Sequence, residues 1–340
     1  MISRPRAEDW DDWRWQAKNV LTSVADLAQW IELSAAEEAA VSATRAAFRM
    51  AVTPYYASLM DPADPGCPIR RQAIPHSDEL AGDPEAMADP LGEVSRTPVP
   101  GVVHRYPDRI LLLVNNVCPV YCRFCTRKRL TKLDNDTLGS DELEAAYAYV
   151  AANPAIKEVI LSGGDPLLLS DRRLSAIVGR LHGISTVDLV RIHSRLPVVM
   201  PQRITPELVD ALSRHRPLWL VTHFNHPAEL TLSARAACER LVDAGIPVEN
   251  QSVLLKGVND DKRVLAELFQ TLVTWRVRPY YLHHCDLAEG VGHFRTPASV
   301  GPTLMAQLRG TVSGLALPQF VIDTPGGAGK VPVTSPPGSN

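Results

Sequence analysis

From about residue 107 onward, short β-branched or leucine-rich runs alternate with amphipathic stretches of 10–15 residues, and this alternation constrains the fold more than anything else in the chain. The runs RILLLVN (109–115), EVILS (158–162), VDLVRI (187–192), LWLVTH (218–223), VENQSVLL (248–255) and RPYYLHH (278–284) read as strands. Between them, 141–153, 171–182, 206–215, 231–244 and 261–275 read as helices, with Thr205-Pro206 as a start signal and Gly245 as a stop. Six strand–helix units in series predict a parallel sheet, and the lack of an early dinucleotide fingerprint favours a partial, TIM-like barrel over a doubly wound sheet. In such barrels the chemistry sits at the C-terminal ends of the strands.

The region ahead of this rhythm has a different character. Trp13 to Trp30 and Ala35 to Met50 carry helical spacing, whereas 61–100 is dense in Pro, Asp and Gly and reads as a long surface connection. The division predicted is 1–104 as an N-terminal helical region with an irregular connection, 105–312 as the (β/α)6 partial barrel, and 313–340 as a C-terminal segment. A net charge of -3 argues against nucleic acid as a general partner. The longest apolar runs, such as ILLLV at 110–114, are too short to span a bilayer, and a cytoplasmic location without a membrane partner is expected.

Six cysteines do not form a secreted disulfide pattern, because Cys67, Cys238 and Cys285 are scattered while Cys118, Cys122 and Cys125 crowd into CPVYCRFC. C-x3-C-x2-C just beyond the first strand lets three thiolates converge on one small cluster. A structural zinc needs a fourth ligand, and Cys285 is the residue that could supply one. Read as three ligands, the motif leaves one iron of a [4Fe–4S] cluster open. It resembles that of the radical S-adenosylmethionine enzymes, in which the cofactor's amine and carboxylate occupy that iron.

Two further stretches carry chemistry. LSGGDPL (161–167) places glycines at a strand end, where the backbone can approach a ligand closely. FVIDTPGGAGKVPV (320–333) suggests a phosphate loop, but Thr324 and Val331 stand where Gly and Ser or Thr would be required, and no helix can follow. What remains is Lys330 on a loop of small residues, suited to a Schiff base with an aldehyde cofactor.

Over most of its length the chain resembles the lysine 2,3-aminomutases, in DWDDWRWQAKN (9–19), HRYPDRILLL (104–113), CRFCTRKR (122–129), HSRLPVVMPQRIT (193–205), THFNHPAE (222–229), NQSVLLKGVND (250–260), RPYYLHHCDL (278–287), GHFRTP (292–297) and DTPGGAGK (323–330). The resemblance implies a crescent-like (β/α)6 barrel with a [4Fe–4S] cluster, S-adenosyl-L-methionine and pyridoxal 5'-phosphate as cofactors. It implies an isomerase in which an adenosyl radical takes hydrogen from Cβ of an amino acid, lysine above all, and nitrogen moves from C2 to C3. By position, Lys330 resembles the Schiff-base lysine, while Arg105, Tyr106 and Arg109 resemble the set that meets pyridoxal phosphate. Gly163, Gly164, Asp165, His223 and Gln251 resemble residues at S-adenosylmethionine, and Arg127 resembles the grip on the substrate carboxylate.

Asp286 and Asp323 resemble the pair that binds the distal ammonium of lysine. Two carboxylates meeting at one site repel unless a cation lies between them, so the pair itself points to a positively charged substrate end. Arginine satisfies the same acids, and a lysine attached to translation elongation factor P is a further alternative. A non-catalytic iron–sulfur or zinc protein is the alternative from another class. His283 stands where the family carries a tyrosine near the pyridine ring, and the chain stops ten residues after Lys330, short of the zinc and oligomerisation segment of clostridial-type members. A homo-oligomer and an electron donor such as flavodoxin or ferredoxin are the expected partners.

Overall fold

The structure, a computed structural model, describes residues 7–132, 136–324 and 329–333. Residues 325–328 and 334–340, both within the predicted C-terminal segment, lie outside the described residues. Among the described residues, nine strands form one sheet in strict sequence order: β1 (Val102–Tyr106), β2 (Arg109–Asn115), β3 (Glu158–Gly163), β4 (Leu189–His193), β5 (Leu218–Thr222), β6 (Val248–Leu254), β7 (Val277–His284), β8 (Gln319–Asp323) and β9 (Lys330–Pro332). β2 to β8 run parallel, and the outermost strands β1 and β9 pair antiparallel to their neighbours. Sequential parallel pairing of this kind is the curved, open sheet of a partial barrel.

The N-terminal region contributes α1 (Trp13–Lys18), α2 (Ala35–Thr44) and α3 (Pro68–Ala73). Its helices are shorter than the spacing predicts, because Leu21 leaves helical geometry to pair with Val52. Among the described residues, six helices of 8 to 13 residues follow the strands: α4 (Ser140–Ala152), α5 (Asp171–His182), α6 (Pro206–Ser213), α7 (Leu232–Asp243), α8 (Lys262–Thr274) and α9 (Val300–Leu308). The start of α6 is set locally, with the Thr205 side chain accepting from Leu208 N and Pro206 in the first turn. On α5, Leu174, Ile177, Val178 and Leu181 make one buried stripe. It joins strand residues such as Val159, Leu161 and Val190 in the main core, each such side chain contributing about 1.5–3 kcal/mol.

The stretch 61–100 departs from expectation. Rather than running over the surface throughout, it sends Gln72, Glu79 and Glu93 into the protein, at 0%, 3% and 2% exposure. Acidic and amide side chains tolerate that only when partnered: Gln72 accepts from Arg195 and Asn225, and the cysteine loop supplies the partners of the two acids. Glu79 accepts from Arg123 Nε at 2.8 Å and from Lys128 Nζ at 2.8 Å, and it also pairs with Arg123 Nη2. This part of the N-terminal region is thereby bound to the C-terminal edge of the sheet.

Candidate active site

The cysteine loop begins where β2 ends. Asn115 pairs with Gly163 across a register shift between β2 and β3. Gly163 has φ +124°, and a Cβ there would stand 2.1 Å from the Asn115 carbonyl oxygen; at Gly164 it would stand 2.2 Å from that of Val117. Both glycines therefore let the β3 turn lie directly against the root of the cysteine loop. Asp165 turns inward: its carboxylate accepts from Leu167 N at 3.1 Å, Ser194 Oγ at 2.7 Å and Arg195 N at 2.8 Å. Burial nevertheless pushes its carboxyl up to about 7, against those hydrogen bonds.

The three thiols of the motif act on one another. Burial first, then the charge of Cys122, pushes Cys125 up to about 11; burial, Asp165, Cys125 and Cys122 hold Cys118 well above the usual thiol range. Arg195 Nη1 donates to Cys122 Sγ at 2.7 Å. Two buried thiols that resist ionising on their own, beside a third whose sulfur accepts from a guanidinium, suit a polycationic cluster that draws off their protons. Cys285 lies instead in a small apolar cluster with Phe124, Leu255, Val258 and Phe294. Among the described residues no group of His, Cys, Asp or Glu is gathered for a single metal ion, and an iron–sulfur cube spaces its thiolates more widely than one ion does. A cavity of about 620 Å³ reaches Cys118 from the side of α1, between Trp13, Arg49 and Tyr121, apart from the strand-end acids and Lys330.

Arg127 is gripped by Glu93. Its Nε donates to both carboxylate oxygens at 2.8 and 3.0 Å, Nη2 lies 2.8 Å from Oε1, and Nη1 donates to Ser162 Oγ at 3.3 Å. Arg129 joins the same carboxylate at 2.7 Å. Burial opposes the charge on Glu93, yet Arg127 and Arg129 outweigh it and bring the carboxyl down to about 2.

The lysine and the acids come together through a hairpin. Lys330 is the first residue of β9, not a point on a free loop, and it is the cross-strand partner of Asp323. Its Nζ lies 3.6 Å from Asp323 Oδ2, and Arg105 Nη1 lies 2.7 Å from Oδ1. Asp323 thus has cations of the chain beside it, which the two-acid argument from sequence did not foresee. Asp286, just past β7, has its carboxyl pushed up to about 6 by burial and by Asp323, opposed by Thr126, Lys330 and Arg105. The backbone N–H of Lys330 donates to Tyr106 Oη at 3.3 Å, and the Arg109 guanidinium lies 3.9 Å above the Tyr106 ring. A Cβ on Gly329, at φ +122°, would meet Tyr106 Oη at 2.4 Å, so only glycine lets lysine sit there. Arg105 Nε is buried with no hydrogen-bond partner among the described residues. Two arginines, a lysine and an orphaned donor fit a phosphorylated aldehyde.

Gln251 and His283, on adjacent strands, meet at 3.0 Å between Oε1 and Nε2. His223 packs on Phe124 with ring centroids 5.4 Å apart. Burial holds His223 down at about 3, and burial with Lys330 keeps His283 well below the usual imidazole range. The sequence reading missed Glu79, Glu93, Arg195 and His193. His193 closes β4, its Nε2 is buried without a partner, and burial with Arg191, Lys330 and Arg127 keeps it neutral. The signal available was the basic run CRFCTRKR, whose buried charges require acids from elsewhere in the chain.

Residues 112–269 match the sequence model of the radical SAM superfamily, so fold and cysteine loop together define a radical S-adenosylmethionine enzyme. Residues 305–337 match the model described as Lysine-2,3-aminomutase. The chain is 51% identical to L-lysine 2,3-aminomutase of Fusobacterium nucleatum, covering 96% of this chain and 77% of that protein. It is 50% identical to L-lysine 2,3-aminomutase of Clostridium subterminale, covering 96% and 78%, and 40% identical to glutamate 2,3-aminomutase of Clostridioides difficile, covering 96% and 77%. The chain belongs to the lysine 2,3-aminomutase family. It is an isomerase acting on an amino acid, with a [4Fe–4S] cluster and S-adenosylmethionine as cofactors. Among the described residues no helix is long and apolar enough to cross a membrane.

Proposed function

We propose that this chain interconverts L-lysine and L-β-lysine. The observation that carries the reading is Asp286: a buried acid at a strand end, facing the charge of Asp323, on which Arg127 and Lys330 also act. With Arg105 and Lys330 beside Asp323, Asp286 is the acid a distal ammonium would meet, whereas a distal carboxylate would add a negative charge beside both acids. Cluster and S-adenosylmethionine together supply the hydrogen-abstracting radical, and pyridoxal phosphate supplies the carbon that carries the migrating nitrogen.

The chain's own residues do the rest. Cys118, Cys122 and Cys125 would hold the cluster, with Gly163, Gly164, Asp165, His223 and Gln251 shaping the adjoining strand ends. Lys330 would bind the aldehyde carbon, and Arg105, Tyr106 and Arg109 the ring and phosphate. Arg127, fixed by Glu93, would orient the substrate carboxylate. Glu79 and Glu93 tie residues 77–96 of the N-terminal region to the cysteine loop at this edge, where that region would help to keep water from the reacting carbon. A flavodoxin or ferredoxin as electron donor, a homo-oligomeric assembly and a cytoplasmic location complete the proposal.

The test is anaerobic reconstitution with iron, sulfide and pyridoxal phosphate, then incubation with S-adenosylmethionine and, side by side, L-lysine, L-arginine, L-glutamate and elongation factor P. Products are resolved by mass and derivatised retention. β-Lysine as the dominant product is expected. β-Arginine, β-glutamate or a modified factor in its place overturns the substrate, and a cluster signal indifferent to S-adenosylmethionine overturns the radical reading.

A further inference from the structure

Arg195 follows the last residue of β4 and is 8% exposed. All of its nitrogens are engaged. The backbone N donates to Asp165 Oδ2 at 2.8 Å and Nε to the His223 carbonyl at 3.2 Å. Nη2 donates to Tyr56 Oη at 3.1 Å, Gln72 Oε1 at 2.6 Å and Glu229 Oε1 at 2.8 Å. Nη1 donates to Cys122 Sγ at 2.7 Å. The rings of Tyr56 and Phe124 lie 5.4 and 5.2 Å from the guanidinium carbon, so its plane is walled as well as bonded.

Glu229 is itself fixed. It is fully buried, accepts from Tyr56 Oη at 2.7 Å, and takes the backbone N–H groups of Asn225 and His226 at 2.6 and 2.9 Å on its other oxygen. The Glu229 charge is therefore satisfied without the sulfur contact, and a salt bridge alone gives no reason for Nη1 to face a thiol. An N–H on a cluster sulfur, and a positive charge beside it, favour the reduced cluster, which carries one more negative charge.

We infer that Arg195 is a positioning residue that raises the reduction potential of the cluster through its hydrogen bond to Cys122 Sγ, and that Glu229 holds it in place while partly cancelling its charge. Tyr56 and Gln72 extend the hold to the N-terminal region. The inference rests on reading Cys118, Cys122 and Cys125 as the cluster ligands, and it concerns electron acceptance, which substrate choice does not touch.

The experiment is a mediated reductive titration of the reconstituted enzyme without substrate, followed by electron paramagnetic resonance of the reduced cluster, with iron content measured on each sample. Arg195→Gln is expected to lower the reduced-to-oxidised ratio at a fixed poise about tenfold, equivalent to a shift of about 59 mV for one electron. Glu229→Gln, which keeps the shape but removes the negative charge, is expected to move the ratio the opposite way. Opposite shifts support the inference. Unchanged potentials, or shifts of the same sign in both variants, overturn it. Should Arg195→Gln fail to load iron, Glu229→Gln decides alone, a raised ratio supporting the inference and an unchanged or lowered one overturning it. A wild-type chain that takes up no cluster sinks the ligand reading along with it.

Discussion

Replacing Glu93 by Gln removes the counter-charge of Arg127 and Arg129 while keeping the size of the side chain. Glu93 is 2% exposed and its carboxyl sits at about 2 in the folded chain against an ordinary 4.5, because two guanidinium groups outweigh the cost of burial. At about 1.4 kcal/mol per tenfold change in proton affinity, the charged carboxylate contributes about 3 kcal/mol to folding at neutral pH. The folded value is depressed, so this stability is fully present above 4.5 and is lost as pH falls from 4.5 toward 2. The expected result is a loss of about 3 kcal/mol for Glu93→Gln at pH 7, shrinking to less than half of that by pH 3. Urea unfolding of both chains at pH 7, 5, 4 and 3, followed by circular dichroism, measures it. A difference below about 1 kcal/mol at pH 7, the size of an exposed ion pair, or one that stays constant down to pH 3, refutes the argument. The same substitution frees Arg127 to swing, so KM for the amino acid should rise with it.

Asp286→Asn should raise KM for lysine about 10- to 150-fold, the range for a lost hydrogen bond to a charged group, in steady-state assays of β-lysine formation. In the wild type, lysine binding should weaken as pH falls through about 6, where Asp286 takes up a proton; an unchanged KM between pH 7.5 and 5.5 contradicts its role. Lys330→Ala should abolish the absorbance band of bound pyridoxal phosphate, and persistence of that band would mean another lysine carries it. Gly163→Ala should cost about 3 kcal/mol or more in thermal or urea unfolding, since it combines φ +124° with a Cβ 2.1 Å from the Asn115 carbonyl.

The central sheet was legible in the sequence because β2 to β7 are buried, apolar and separated by helices with clear caps. RILLLVN became β2 without a shift of boundary, and 171–182 became α5. The flanking strands were not legible: β1, β8 and β9 lie at or near the sheet edges and hold only 5, 5 and 3 residues. They form because neighbouring strands offer unpaired backbone, a tertiary cause that local spacing does not carry. The same holds for the buried acids. Glu79 and Glu93 sit among Pro, Asp and Gly and look solvated, and their partners Arg123 and Arg127 lie 44 and 34 residues away. Arg195 stands within HSRLP with no local sign of its role, because a sulfur 73 residues distant leaves no local trace. The three cysteines and Lys330 stand out in the sequence through their motifs, and Asp286 and Asp323 through the family resemblance; the structure pairs Lys330 with Asp323 across two strands and sets Asp286 just past the end of β7.

The pairing of Asp323 with Lys330 across β8 and β9 makes loop length a determinant of chemistry. Successive residues of a strand face opposite sides of a sheet, so slipping β9 by one position would carry the lysine amine to the far side while leaving nearly every backbone hydrogen bond intact. Adding or deleting one residue between Asp323 and Lys330 is therefore expected to yield a chain that folds, holds its cluster and is inert. Changes of two residues would restore the facing but displace the amine by a full strand repeat of about 7 Å. Six residues separate Asp323 from Lys330 in the sequence, and that number bears on the placement of the amine as directly as the identity of the lysine does.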